Sequence, residues 1–261
     1  MGALHGVCSR AMVRRSAHPG VTRARSFSLV CAVFLGSGLG VIGPARAGTE
    51  VIIDNRSIRV ILNNYVPAEA SGEHEHEDPR FIFVVQPGTL ESTDPSGATT
   101  DRSFEADSCL YAPPIRHSVR NIGRTEASLL EVEIKGAPGP TGGPIPCMEP
   151  DSEPDVTSNN RPVPGGKALR LRRTVLLKEP DLVVSRIELE SGVRERAARG
   201  RGDRLVYVLV GGAFQSKTPN GKRVVATQGS AVWIGGAAPL EAQDNGDLVL
   251  LEVEPLTAAK P

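Results

Sequence analysis

The two halves of this chain carry the same pattern of short apolar runs, and that repetition limits the fold more than any other feature. Residues 81–88 (FIFVVQPG) match residues 205–212 (LVYVLVGG) in pattern, and residues 129–133 (LLEVE) recur as residues 250–254. In a third pair, residues 121–123 (NIG) have a counterpart in residues 244–246 (DNG). The offsets between the paired blocks are 124, 121 and 123 residues. A nearly constant offset across three separate blocks predicts an internal duplication.

Each half is predicted to be built from β-strands. Short runs rich in valine, isoleucine and leucine alternate with turn residues, and no long stretch has helical periodicity. The predicted strands are residues 57–62, 81–85, 109–112, 129–134, 169–177, 182–189, 205–210, 231–234 and 248–253. Pro219-Asn220-Gly221 is typical of a hairpin turn. The fold class is therefore predicted to be all-β, with two domains of similar size.

The two predicted domains are separated by a proline- and glycine-rich stretch. Eight prolines lie between Gly136 and Gly166, with no strand pattern among them, which is typical of a linker or a long surface loop. The predicted boundaries are a first domain at 48–137, a linker at 138–166 and a second domain at 167–261.

Residues 1–47 have the order of features found in a secretory signal peptide. Arginines precede an apolar run from Phe27 to Ile42, and Ala45-Arg46-Ala47 then supplies a small-x-small cleavage site. The alternative is a retained membrane anchor, but the apolar run is short for a membrane span and contains three glycines. We therefore expect a periplasmic or secreted protein that has no membrane segment after cleavage.

The charge that remains after cleavage disfavours nucleic acid as a partner. The whole chain has 30 basic and 30 acidic residues, and residues 1–47 hold six arginines but no lysine or acidic residue. The mature chain would keep 24 basic and 30 acidic side chains, which is a net charge of −6. Protein surfaces that bind nucleic acid instead carry clustered positive charge. Two cysteines would also remain, Cys109 and Cys147. An oxidising compartment would allow them to pair, but spacing alone leaves a disulfide and two free thiols equally open.

Every histidine of the predicted mature chain belongs to one metal-site pattern. His74 and His76 form a His-x-His pair, and His117 follows a Pro-Pro turn. On a β-strand, residues two apart point to the same face, so a third histidine from another strand can complete a cluster. Neutral imidazole is a good ligand for several divalent transition metals. Fe, Zn, Mn, Ni and Cu remain open as the metal.

These residues resemble the two motifs of the cupin family. The first motif is matched by Gly72, His74, His76 and Gly88, and the second by Pro113, His117 and Asn121. Counting the degenerate second half, the resemblance covers essentially the whole mature chain. It implies two tandem cupin-type jelly-roll β-barrels. It also implies that the three histidines are metal ligands at the mouth of the first barrel.

One position departs from the family pattern. The glutamate ligand that the family has four or five residues after the second histidine is replaced here by Arg80 and Phe81. Either the carboxylate ligand is absent or Glu77 or Asp78 substitutes for it. If Arg80 points inward, it would weaken metal binding or bind an anionic ligand.

Two neighbours of His117 are further candidates for the pocket wall. Tyr111 and Arg120 lie on either side of His117 in the sequence, and both fit a substrate-binding role or an ordinary strand position equally well.

The second half lacks the ligands altogether. Arg199, Gly200, Arg201 and Gly202 occupy the neighbourhood of the His-x-His pair, and Leu240 falls near the position of His117. We expect this half to be a barrel without a metal that packs on the first barrel or forms a homodimer face.

The function expected from this resemblance is binding of a divalent metal and a small molecule in the first barrel. Dioxygenase, isomerase and related activities all fit such a barrel, because the fold alone does not select a reaction. The alternative is a non-catalytic small-molecule-binding or structural protein, which the missing glutamate favours.

Overall fold

The computed structural model describes residues 48–147, 171–195, 201–236, 238–243 and 246–256. The predicted signal peptide lies outside the described residues, as does most of the predicted linker. No helix in the described part of the chain is long and apolar enough to cross a membrane.

The first half, residues 48–147, forms two antiparallel sheets that face each other as a jelly-roll barrel. Its strands are β1 (Gly48–Asp54), β2 (Ile58–Tyr65), β3 (His74–His76), β4 (Arg80–Gln86), β5 (Gly88–Thr93), β6 (Thr99–Phe104), β7 (Cys109–Ala112), β8 (Ile115–Asn121), β9 (Ala127–Ile134) and β10 (Ile145–Pro146). One sheet has the order β1-β2-β9-β4-β7-β10, and the other has the order β3-β8-β5-β6.

The second half repeats this arrangement. Its strands are β11 (Leu171–Glu179), β12 (Leu182–Leu189), β13 (Arg204–Gly211), β14 (Ala213–Lys217), β15 (Arg223–Thr227), β16 (Ala231–Ile234), β17 (Glu241–Ala242) and β18 (Leu248–Pro255). The sheet orders are β11-β12-β18-β13-β16 and β15-β14-β17. Strands β14 and β15 form the hairpin predicted at Pro219-Asn220-Gly221.

The register of the central strands supports the predicted duplication. Phe81 pairs with Val132 in the first barrel, as Leu205 pairs with Val253 in the second. The pairing is also interrupted at the same place, between Val84 and Gln86 in one barrel and between Val208 and Val210 in the other. The all-β prediction and the tandem-barrel architecture are therefore confirmed.

Side-chain alternation divides each large sheet into an inner and an outer face. In the first barrel, Ile82, Val84, Leu110 and Leu129 fill the interior, together with other apolar side chains. The outer faces of the two large sheets pack against each other in one shared core. Members of that core from the first barrel are Phe81, Phe83, Tyr111, Leu130 and Val132, and members from the second are Leu182, Val184, Leu205, Tyr207, Leu251 and Val253.

The start of the predicted linker belongs to the first barrel. Ile145 and Pro146 pair with Tyr111 and Leu110 as the edge strand β10, a strand that the sequence pattern does not reveal. Cys147 forms a disulfide with Cys109. The two cysteines are therefore paired, and their disulfide links the end of β10 to β7.

Candidate metal site

The three histidines come from two neighbouring strands of the smaller sheet of the first barrel. Strand β3 carries His74 and His76, and β8 carries His117, which is the direct cross-strand partner of His74. Alternation places the intervening Glu75 on the exposed side. His76 and His117 are buried, and His74 is half-buried.

The three imidazoles converge on one point inside the barrel. One nitrogen from each ring lies within 4.8 Å of the corresponding nitrogen of the other two. The ring centroids of His74 and His117 are 4.8 Å apart, and those of His76 and His117 are 5.4 Å apart. This is the group of possible ligands that the sequence predicted.

Each ring is oriented by a hydrogen bond at its Nδ1 atom. The Nδ1 of His76 lies 2.7 Å from Glu133 Oε1, that of His74 lies 3.0 Å from the Gly72 carbonyl oxygen, and that of His117 lies 3.0 Å from Ser92 Oγ. Contacts of this kind fix the tautomer of a metal-binding histidine and turn its other nitrogen toward the ion. The Nε2 atoms of His76 and His117 are buried without a hydrogen-bond partner. Two buried ring nitrogens without a partner fit a metal ion.

Electrostatics keeps one of the rings in the state that can bind a metal. Burial, the positive charge of Arg80 and the other two histidines together lower the pKa of His117 to about 3. His117 is therefore neutral at physiological pH, as a metal ligand must be.

Two glutamates of β9, missed in the sequence, complete the surroundings of the histidines. Glu131 and Glu133 are both buried and point to the barrel interior, on the same face as Leu129. Burial alone would raise the pKa of Glu133, but the hydrogen bond from His76 and nearby positive charges hold it below its usual value. The available signal was a pair of acidic residues, two apart, within an otherwise apolar strand.

Arg80 points into the barrel. It is buried, its Nε lies 3.0 Å from Glu131 Oε2, and its Nη1 donates a hydrogen bond to the Pro113 carbonyl oxygen at 3.3 Å. Its charge is therefore balanced by a carboxylate of the protein, which reduces its capacity to hold an anionic ligand.

The other predicted site residues have different surroundings from one another. Glu77 is exposed, and Asp78 Oδ1 accepts a hydrogen bond from the Gly136 backbone nitrogen at 2.9 Å. Among the described residues, the group whose ligand atoms all lie within 4.8 Å of one another consists of the three histidines, and it contains no carboxylate. Tyr111 faces the second barrel and donates a hydrogen bond to Asp181 at 2.8 Å, while Arg120 is exposed. Asp78 and Tyr111 thus form other contacts, whereas Glu77 and Arg120 are exposed.

Two motif residues have structural tasks. Gly88 lies so close to Ala127 that an added Cβ would come within 2.5 Å of the alanine methyl group. The fully buried Asn121 side chain donates hydrogen bonds to the carbonyl oxygens of Tyr65 and Thr125 and accepts one from the Gly123 nitrogen. Asn121 therefore holds the end of the strand that carries His117.

In the second barrel, an ion-pair network occupies the place of the histidines. Arg204 is fully buried, and its Nε donates a hydrogen bond to Glu252 Oε2 at 2.8 Å. Arg173 and Arg201 contact the other oxygen of Glu252, and both also pair with Glu195. Arg199 and Gly200 lie outside the described residues. No group of metal ligands is found in the described part of this barrel.

The chain is similar to solved structures of several bacterial proteins. AerE from Microcystis aeruginosa is 11% identical and has a TM-score of 0.54, covering 80% of this chain and 97% of that chain. A protein from Pseudomonas aeruginosa described as glyoxylate-induced is 15% identical with a TM-score of 0.54, covering 82% of this chain and 81% of that chain. A protein from Leptotrichia buccalis described as a cupin 2 conserved barrel domain protein is 15% identical with a TM-score of 0.49, covering 82% and 90%.

The fold is a tandem cupin fold. No family model matches the chain, and no curated protein matches it significantly. At these levels of identity the structural likeness defines the cupin architecture alone. The function has to be argued from the histidine cluster of the first cupin barrel.

Proposed function

We propose that the first barrel binds one divalent transition-metal ion through His74, His76 and His117 and presents it to a small molecule. The observation that carries this proposal is the orientation of the three rings. Each Nδ1 is held by a protein oxygen, and the buried Nε2 atoms of His76 and His117 have no hydrogen-bond partner. Leaving such polar atoms buried and unpaired costs about 1–3 kcal/mol each, which a bound ion would offset.

An enzyme fits this site better than a purely structural metal centre does. Structural zinc sites are closed by four protein ligands, whereas catalytic sites keep a position open for water or substrate. Three histidines leave such positions, and when bound the ion would supply Lewis-acid or redox chemistry. Ser92 and Glu133 orient two of the ligands. Arg80 and Glu131 form a buried ion pair beside His76. We propose a metal-dependent activity on a small molecule, of the dioxygenase or isomerase type, with Fe, Zn, Mn, Ni and Cu as candidate metals.

Metal content measured on reconstituted protein tests the proposal. The purified mature chain is loaded with each candidate metal, passed over a desalting column and assayed for bound metal by mass spectrometry. We expect about one ion per chain in the wild type. His117→Ala should lose at least about tenfold in metal affinity, because loss of an outer partner, meaning a residue that only hydrogen-bonds to a ligand, already lowers metal affinity by about 10- to 100-fold.

Glu75→Gln is the matched control, because Glu75 lies between two ligands on the same strand but is exposed. It should bind metal as the wild type does. A wild type that retains none of the metals, or a His117→Ala variant that binds them equally well, would remove the basis of the proposal.

We also propose that the protein acts outside the cytoplasm. The signal-like order of residues 1–47 and the disulfide between Cys109 and Cys147 both support this, since disulfides persist mainly in oxidising compartments. We expect cell fractionation to place the protein in the periplasm or medium, with its new N-terminus after Ala47 and no free thiol. An uncleaved protein with two titratable thiols in the cytoplasmic fraction would contradict this location.

A further inference from the structure

We infer that Glu131 is a fourth metal ligand, supplied by β9 instead of by the segment that follows His76. This inference rests on the proposed function and deepens it. Glu131 Oε2 lies 3.8 Å from Nε2 of His76, the nitrogen that faces the interior. Two metal–ligand bonds of about 2.0–2.2 Å each can span that distance. Both side chains are almost fully buried, with 4% of His76 and 5% of Glu131 exposed.

Both atoms are acceptors that lack a donor. Since Glu133 accepts the Nδ1 proton of His76, the Nε2 atom of the neutral ring carries a lone pair, and it lies 3.8 Å from the carboxylate oxygen. Neither His76 Nε2 nor Glu131 Oε2 has a hydrogen-bond partner. A neutral imidazole nitrogen that carries a lone pair and a carboxylate oxygen cannot hydrogen-bond to each other, so both stay unsatisfied unless a cation binds them. A divalent ion satisfies both atoms at once.

Arg80 forms an ion pair with Glu131 but donates no hydrogen bond to this oxygen. Its Nε lies 3.0 Å from Glu131 Oε2, but the direction is not that of a hydrogen bond, and both atoms remain without a hydrogen-bond partner. The other carboxylate oxygen, Glu131 Oε1, accepts a hydrogen bond from the buried Asn63 amide at 2.9 Å. One oxygen is thus fixed by the protein, and the other is held at the histidine cluster.

The second barrel provides an internal comparison. Glu252 occupies the same register position as Glu131, one residue before the valine that pairs with the start of the central strand. Its Oε2 receives a proper hydrogen bond from Arg204, and its Oε1 contacts the guanidinium groups of Arg173 and Arg201. Positive charge from arginines therefore covers this carboxylate where histidines are absent. In the first barrel Arg80 corresponds to Arg204, and a metal would supply the further positive charge that Arg173 and Arg201 supply in the second.

Cobalt binding distinguishes a residue that coordinates the metal from an outer partner, which only hydrogen-bonds to a ligand. Cobalt(II) is loaded into wild type, Glu131→Gln, Glu131→Asp and the exposed-residue control Glu75→Gln. Its visible absorption is sensitive to the number and type of coordinating atoms. We expect Glu131→Gln to change the cobalt spectrum and to weaken binding by more than about 100-fold, beyond the effect of an outer partner. Glu131→Asp keeps the charge on a shorter side chain, so it should bind more tightly than Glu131→Gln and should show a spectrum distinct from both.

The outcomes are distinguishable. An unchanged cobalt spectrum in Glu131→Gln, with or without a tenfold loss of affinity, makes Glu131 an outer partner and overturns this inference while the three-histidine site stands. Failure of the wild type to bind cobalt overturns the proposed function itself. If Glu131→Gln does not fold, the comparison of Glu131→Asp with wild type decides, and identical spectra there also count against the inference.

Discussion

Arg80 is expected to stabilise the first barrel and also to compete with a bound metal for the same carboxylate. Its guanidinium is buried beside Glu131, and a buried carboxylate without a counter-charge is costly. A bound divalent ion would be a second counter-charge for the same carboxylate. The stability of the first barrel and its occupancy by metal should therefore be coupled through this position.

Replacing Arg80 by leucine should destabilise the metal-free protein by about 3–5 kcal/mol, the usual cost of breaking a buried ion pair. Metal should restore more stability to this variant than it adds to the wild type, because it neutralises Glu131. Urea unfolding with and without metal measures both quantities.

Arg204→Leu is the matched control for this experiment. Arg204 is also fully buried and pairs with Glu252 at the equivalent position, in a barrel without a described metal-ligand group. Its loss should be as destabilising, but metal should add no more to it than to the wild type. An equal metal effect in the two variants would show that the metal does not interact with Glu131.

The histidines were predictable from sequence, but their carboxylate neighbours were not. The His-x-His spacing fixes both rings on one face of any strand, so His74 and His76 needed only that local rule. Glu131 and Glu133 meet the histidines through β9, which reaches the site only because the sheet places it between β2 and β4. Such a contact depends on strand order, which local spacing does not encode.

At the scale of the strand, burial decides what the sequence reveals. Strands β7, β12 and β16 have the predicted bounds, because each begins and ends with an apolar residue or cysteine and is bordered by turn residues. Strands β5 and β6 were missed, and β6 (Thr99–Phe104) is exposed along nearly its whole length. A strand that buries little apolar surface has no alternating pattern for sequence analysis to detect. The same reasoning explains β10, which is two residues long and follows prolines.

At the scale of the whole molecule, the duplication has given the two barrels different electrostatic interiors on one architecture. The first retains histidines with free nitrogens, and the second has a closed arginine–glutamate network. Their large sheets share one apolar core, and Tyr111 and Asp181 add a hydrogen bond across it. Disruption of either interior is therefore expected to affect both barrels together.

That coupling leads to a prediction for acid unfolding. Burial alone would raise the pKa of Glu252, but Arg173, Arg201 and Arg204 outweigh it and hold the pKa below its usual value. A carboxylate whose pKa is lower in the folded state adds stability above its unfolded pKa, about 4.3. That stability is lost as the pH falls from there through the folded pKa. We expect the free energy of unfolding to fall steeply below about pH 4.5, with both barrels unfolding in one transition.

Glu252→Gln tests the source of that slope. The variant removes the titrating group, so it should be less stable at pH 7 by about 3–5 kcal/mol. It should also lose less stability than the wild type between pH 5 and pH 3, because its amide takes up no proton on unfolding. Glu50→Gln, at an exposed position of the edge strand β1, should keep the wild-type acid slope. Chemical denaturation at a series of pH values gives all three curves, and parallel curves for wild type and Glu252→Gln would assign the acid sensitivity to other groups.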